Sequence, residues 1–126
     1  MKNGIPVNNN ISDEKQTEGI NENKLIICES IEQFEQLIMK DKVTIVDFTA
    51  TWCGPCKKIA PFFEELVSIY TDINFVKVDV DENEDVITKY DVTAMPTFQF
   101  WKNGIRLHAF SGADPNMLLE IIKKII

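Results

Sequence analysis

From residue 25 to the end of the chain, short apolar runs alternate with stretches in which apolar residues recur every three or four positions. This spacing is typical of amphipathic helices. The last such stretch follows Asp114. The predicted order of elements is therefore β-α-β-α-β-α-β-β-α. Five apolar runs are typical of buried strands, at 25–28, 43–48, 75–80, 97–101 and 105–110.

This order predicts an α/β fold with a mixed sheet. Strands separated by helices are expected to run parallel through right-handed crossovers. The last two strands are joined by Asn103-Gly104, which suits a tight turn, so they are expected to be antiparallel. A central five-stranded sheet flanked by four helices follows. In such a sheet the active site is expected outside the carboxyl ends of the parallel strands.

The first residues differ in composition from the rest. Residues 1–23 contain six Asn, and their scattered apolar positions repeat with neither helix nor strand period. We therefore expect a disordered arm over 1–23 and one folded domain over 24–126. Lys2 is not followed by an apolar segment and the arm has no Arg, so we expect neither a secretory nor a mitochondrial targeting signal.

Charge and cysteine content narrow the classes of function. Twenty Asp and Glu against thirteen Lys and Arg give a net charge of −7 over 126 residues, which argues against nucleic-acid and anionic-membrane partners. No apolar run approaches the ~20 residues that cross a bilayer. Three Cys are too few for a disulfide framework, and a four-ligand zinc site would need all three of them together with the single His. We expect a monomer without a bound metal.

A C-x-x-C sequence, Cys53 to Cys56, stands between a predicted buried strand and a predicted helix. If the helix begins near Cys53, the two thiols share one face with their Cβ atoms ~5–6 Å apart. A change of rotamer then brings them to disulfide distance. The helix N-terminus favours the thiolate of Cys53, which is the predicted nucleophile. Cys56, one turn deeper, is the predicted resolving thiol.

The attack by Cys56 needs a base, and Asp47 is the candidate. Asp47 interrupts an otherwise apolar strand, where burial would raise the pKa of its carboxyl group. Lys77, in the next predicted strand, is a possible charge partner. The alternatives are that Asp47 caps the strand or faces water, and that Lys77 is an ordinary surface lysine.

Four short strings stand out in the chain: Val46-Asp47-Phe48, Trp52-Cys53-Gly54-Pro55-Cys56-Lys57, Met95-Pro96-Thr97 and Phe110-Ser111-Gly112-Ala113. Together they resemble the thioredoxin family, over roughly residues 24–126. The resemblance implies the thioredoxin fold and a protein-disulfide reductase with a redox-active Cys53/Cys56 pair and no bound cofactor. It also implies re-reduction by an NADPH-dependent thioredoxin reductase, and client proteins such as peroxiredoxin-type or reductase-type enzymes.

The resemblance also implies roles for individual positions. Gly54 and Pro55 are expected to tune the redox couple. Pro96 is expected to be cis and to lie against the disulfide, while the backbone of Met95 pairs with an extended client segment. The residues implied to line the apolar client groove beside Met95 and Pro96 are Trp52, Ala94 and Gly112. Asp47 and Lys77 match the family's buried carboxylate and its neighbouring lysine.

Two other functions stay open from the sequence. The chain could be a non-catalytic binding module whose thioredoxin-like surface docks a partner protein. The second alternative is a metal or cluster site shared across a dimer, although the chain offers few further ligands.

The third cysteine bears on the compartment. Cys28 ends the first predicted strand and is expected to be a buried small hydrophobe, with a regulatory thiol as the alternative. An unpaired cysteine without a targeting signal fits a reducing compartment, so we expect a cytoplasmic protein in electron transport and cell redox homeostasis.

Overall fold

A computed structural model describes residues 23–126. The predicted arm at 1–23 therefore lies outside the described residues, except for Asn23. Within the described part the order of elements is the predicted one, and the α/β fold is confirmed. The elements are β1 Ile26–Ile27, α1 Ile31–Ile38, β2 Thr44–Thr49, α2 Gly54–Ile69, β3 Asn74–Asp79, α3 Glu84–Lys89, β4 Thr97–Lys102, β5 Ile105–Ser111 and α4 Pro115–Ile125.

The five strands form one mixed sheet in the order β1-β3-β2-β4-β5. Strands β1 and β2 both run parallel to β3, which lies between them. Strand β4 is antiparallel to β2, and β5 is antiparallel to β4. The carboxyl ends of the three parallel strands therefore meet at one edge of the sheet, where α2 begins.

One sequence expectation is wrong: β4 is not parallel to the other helix-separated strands. It follows α3 yet runs antiparallel to β2, with Phe98 opposite Asp47. After α3 the chain does not return to the opposite edge of the sheet. The carbonyl of Met95, just before β4, lies 3.8 Å from Sγ of Cys53, so β4 starts at the edge where β2 and β3 end.

The helices cover both faces of the sheet and divide the core into two halves. Successive side chains of a strand point to opposite faces, so Val46 and Phe48 pack on one face and Ile45 on the other. The first half lies under α1 and α3 and contains both Cys53 and Cys56. Its helical members include Phe34, Leu37 and Val86. The second half lies under α2 and α4, and its helical members include Phe63, Leu66, Val67, Leu118, Ile121 and Ile122.

Helix α2 is capped at its carboxyl end by a residue from the start of the described chain. The side-chain amide of Asn23 donates hydrogen bonds to the carbonyl oxygens of Val67 at 2.9 Å, Ile73 at 3.2 Å and Tyr70 at 3.4 Å. These carbonyls lie at or just beyond the end of α2, where no further helical N–H groups follow. Asn23 therefore attaches the chain that precedes β1 to the folded domain.

The turn between β4 and β5 is tight and packs against the end of α1. Asn103 and Gly104 have φ values of 54° and 76°, the left-handed region that a two-residue hairpin turn requires. Their amides donate to the carbonyls of Lys40 and Ile38, respectively. A Cβ atom at Gly104 would lie 2.5 Å from Sδ of Met39, so glycine is needed for space as well as for conformation.

Candidate active site

Cys53 and Cys56 lie where β2 passes into α2, and they form a disulfide with Cα atoms 5.3 Å apart. Cys53 is the N-cap residue of α2, and its Sγ accepts a hydrogen bond from the backbone N–H of Cys56 at 3.2 Å. Unpaired N–H groups and the helix dipole at this end favour negative charge. When the disulfide is open, the same position stabilises a thiolate on Cys53.

The two cysteines are not equally accessible. Cys53 is 6% exposed and Cys56 is 2% exposed, so an incoming disulfide reaches Cys53 more easily. Gly54 and Pro55, between them, are exposed and form the first turn of α2. Proline fits there because that turn has no intrahelical partner for its N–H group.

A loop before β4 lies against the disulfide. The Met95–Pro96 peptide bond is cis, and the carbonyl oxygen of Met95 lies 3.8 Å from Sγ of Cys53. The N–H of Gly112, at the end of β5, donates to the carbonyl of Pro96 at 2.9 Å. The loop is thus held to the sheet on one side and presents the Met95 backbone beside the reactive sulfur.

Asp47 is buried in β2, and Lys77 lies directly opposite it on β3. Asp47 is 3% exposed, and its Oδ1 has no hydrogen-bond partner among the residues described. Burial raises the pKa of Asp47 to about 7, and the positive charge of Lys77 opposes part of that rise. A carboxyl group with this pKa is able to accept and return a proton near neutral pH.

A cavity of about 370 Å³ opens between the first turns of α2 and the ends of β2 and β3. Cys56 and Lys57 line one side, and Lys77 and Asp79 line the other. Because Cys56 is otherwise enclosed, this cavity connects its surroundings with solvent beside Lys77, whereas Asp47 does not line the cavity.

The residues assigned to the client groove lie around the disulfide, but they do not all line one cavity. Trp52 is 64% exposed and, with Met95, lines a second cavity of about 370 Å³ that extends towards α3. Ala94 and Gly112 are exposed and lie outside that cavity. Pro96, in the loop before β4, is buried.

Sequence reasoning missed two polar residues beside the site. Asp81, in the loop after β3, accepts a 2.9 Å hydrogen bond from Nε1 of Trp52. Asn83 in the same loop is 2% exposed and donates to the carbonyl of Asp79 at 3.0 Å. Both contacts depend on the tertiary packing, so local sequence patterns do not show them.

Cys28 is buried next to the end of β1, away from any other described cysteine. Its Sγ donates to the carbonyl of Ser30 at 3.3 Å, and burial raises the pKa of its thiol. This environment is that of a small packed side chain rather than a reactive thiolate.

Two further searches concern residues 23–126 only. Over this range no three residues among His, Cys, Asp and Glu come together in a way that would hold a metal ion. In the same range, no helix has both the length and the apolar character needed to cross a membrane.

Comparison with known proteins gives one consistent result. The sequence model of the Thioredoxin family matches residues 25–124. A thioredoxin of Ophiophagus hannah is 54% identical over 83 residues, covering 66% of this chain and 79% of that protein. Thioredoxin 1 of Plasmodium falciparum is 46% identical over 98 residues, covering 78% of this chain and 94% of that protein.

Solved structures agree with the sequence comparisons. The crystal structure of a thioredoxin from Trypanosoma brucei brucei is similar with a TM-score of 0.80 and 33% identity, covering 86% of this chain and 96% of that one. A Malassezia sympodialis thioredoxin is similar with a TM-score of 0.79 and 39% identity over the same shares of the two chains.

Proposed function

This chain belongs to the thioredoxin family and is a protein-disulfide reductase, and from that premise we propose a role for each residue of its site. Cys53 is the nucleophile, Cys56 the resolving thiol, Asp47 the acid/base and Lys77 its charge partner. The observation that carries this assignment is the position of Cys53, whose Sγ accepts the Cys56 N–H at the start of α2.

In the first step the Cys53 thiolate attacks one sulfur of a client disulfide. A bond forms between Cys53 and the client, and the second client sulfur leaves as a thiolate. The Cys56 N–H and the α2 dipole favour the attacking anion.

In the second step Cys56 resolves the mixed disulfide. Asp47, with its pKa of about 7, accepts the proton of the Cys56 thiol through the cavity that both Cys56 and Lys77 line. Cys56 then attacks Sγ of Cys53 and releases the first client sulfur as a thiolate. The client gains two electrons, and the Cys53–Cys56 pair loses two.

The client is held as an extended segment beside the cis-proline loop. The backbone of the half-buried Met95 pairs with it by strand addition, which places a client sulfur close to Cys53 because the Met95 carbonyl already lies 3.8 Å from the Cys53 sulfur. Trp52, Ala94 and Gly112 form the surrounding surface.

By analogy with the thioredoxin family, the reducing equivalents come from an NADPH-dependent thioredoxin reductase. The sequence contains no G-x-G-x-x-G dinucleotide motif. Clients are disulfide-containing proteins, including peroxiredoxin-type and reductase-type enzymes. The protein acts as a cytoplasmic monomer in electron transport and cell redox homeostasis, and Gly54 and Pro55 tune the redox couple.

Single-cysteine variants test the assigned roles. With insulin as substrate, Cys53→Ser is expected to abolish turnover, and Cys56→Ser to accumulate a mixed disulfide that mass spectrometry detects. The buried Cys28 gives a matched control, since Cys28→Ser removes a thiol outside the site and should retain turnover. Normal turnover by either active-site variant would contradict the mechanism. Client binding that survives loss of both thiols would support a binding module instead.

A further inference from the structure

We propose that a groove beside the reactive sulfur selects client segments that carry a Lys or Arg near the attacked cysteine. The inference rests on the proposed function and names its substrate class. We call this cavity the α3 groove, since α3 forms one of its walls. It is lined principally by Trp52, Val80, Asp81, Glu84, Ile87 and Met95.

The α3 groove is continuous with the active site and has an apolar floor. Trp52 precedes Cys53 in the chain, and the carbonyl of Met95 lies 3.8 Å from the sulfur of Cys53. Val80 and Val92 are buried at the floor, where they contribute apolar surface. A segment joined to Cys53 therefore extends over a surface that suits an apolar side chain.

The rim of the α3 groove is negatively charged. Asp81 and Glu84 are both exposed along it, and no Lys or Arg of the described chain lines it. The nearest cation along α3, Lys89, instead forms an ion pair with Glu35 of α1. The rim acids therefore have no basic neighbour in the groove to neutralise them.

Asp81 is held in position at this rim. One of its oxygens accepts the 2.9 Å hydrogen bond from Nε1 of Trp52, which leaves the other carboxylate oxygen for a ligand. A fixed carboxylate loses less side-chain entropy when it pairs with an ammonium or guanidinium group. Charge complementarity therefore favours a basic occupant at the rim and disfavours an acidic one.

Extended segments point alternate side chains in opposite directions. A client can thus place an apolar residue on the floor while a basic residue near it reaches Glu84 or Asp81. Exposed ion pairs are individually weak, so we expect a basic peptide to react about fivefold faster than an acidic one at low ionic strength.

Matched peptides provide the test. Synthetic peptides with one internal disulfide are prepared with Lys or Glu at each of the two positions on either side of the attacked cysteine. Their single-turnover reduction by the reduced full chain is followed by tryptophan fluorescence. At one position at least, the Lys peptide should react about fivefold faster than the Glu peptide, and salt at about 0.5 M should reduce that ratio.

A pair of variants separates the groove from the overall charge. Glu84→Gln should lower the Lys-to-Glu rate ratio at least about twofold, and adding Asp81→Asn should lower it further. Glu82→Gln removes the same charge two residues earlier, from the loop before α3 and outside the groove, and should leave the ratio unchanged. No preference at any position, or equal effects of Glu82→Gln and Glu84→Gln, would overturn the inference. Failure to reduce any peptide would instead count against the proposed function.

Discussion

Lys77 lies directly opposite Asp47 in the parallel register of β2 and β3, yet the pKa of Asp47 is raised to about 7 rather than lowered. Burial of the carboxyl group is the larger effect, and the charge of Lys77 offsets only part of it. Because its Oδ1 lacks a partner among the described residues, the ionised form of Asp47 is poorly compensated. The fold therefore carries this buried carboxyl group at a cost in stability.

That cost should be visible as a dependence of stability on pH. The pKa of Asp47 is about 7 in the folded protein and ~3.9 in an unfolded chain. The folded state thus retains the proton longer, so its free energy of unfolding falls as pH rises from about 4 to about 7 and then levels off. Asp47→Asn should remove this loss.

The stabilisation by Asp47→Asn should therefore be greater at about pH 8 than at about pH 4, by up to about 4 kcal/mol. Urea unfolding of the oxidised protein at both pH values measures it. The exposed Asp72→Asn change provides the control. Equal stabilisation by Asp47→Asn at both pH values would contradict the raised pKa.

Removing the neighbouring cation should move the pKa of Asp47 further upward. The charge of Lys77 lowers that pKa, so Lys77→Gln is expected to raise it above about 7. Carbon-13 NMR titration of the Asp47 carboxyl group measures the change directly. Lys58→Gln, on an exposed part of α2, should leave the pKa of Asp47 unchanged. A fall in the Asp47 pKa in the Lys77 variant would refute this relationship.

The attachment of Asn23 to α2 should contribute to stability. Asn23→Ala removes the donors to the Val67, Tyr70 and Ile73 carbonyls and should lower the free energy of unfolding by about 1 kcal/mol. Asn23→Asp should cost more, since it also puts a negative charge at the carboxyl end of a helix. Urea denaturation beside the exposed Lys24→Ala control checks both, and no loss for either variant would show that the contact is unimportant.

Gly104→Ala should destabilise the protein for two separable reasons. The positive φ of 76° is strained for alanine, and the new Cβ would lie 2.5 Å from Sδ of Met39. We expect a loss of roughly 1–3 kcal/mol in thermal or urea unfolding. In a Met39→Ala background the steric contact is gone, so the same substitution should cost less. An equal cost in both backgrounds would assign the whole effect to backbone strain.

The sequence was sufficient for the order of elements, because periodicity and turn residues are local signals. It was insufficient for the direction of β4, which depends on where the loop before that strand packs. The carbonyl of Met95 in this loop lies beside Sγ of Cys53, 42 residues earlier in the chain. The direction of β4 thus goes with a long-range contact that the apolar pattern does not show.

At the site, too, local spacing predicts contacts between residues close in sequence but not contacts between distant ones. The approach of Cys53 to Cys56 follows from three residues of helix geometry. The hydrogen bond from Trp52 to Asp81 spans 29 residues, and the burial of Asn83 depends on packing between β1 and α3. Neither has a periodic or charge signal in the surrounding sequence.

The Cys53–Cys56 bond belongs to the half of the core under α1 and α3, together with Phe34 and Val86. Side chains such as Leu66 and Leu118 share no cluster with these sulfurs. A substitution at Leu118 therefore changes packing in the half of the core that does not contain the disulfide. Substitutions at Phe34 or Val86 change the packing of the half that contains the disulfide, so they can alter both stability and the thiol–disulfide equilibrium.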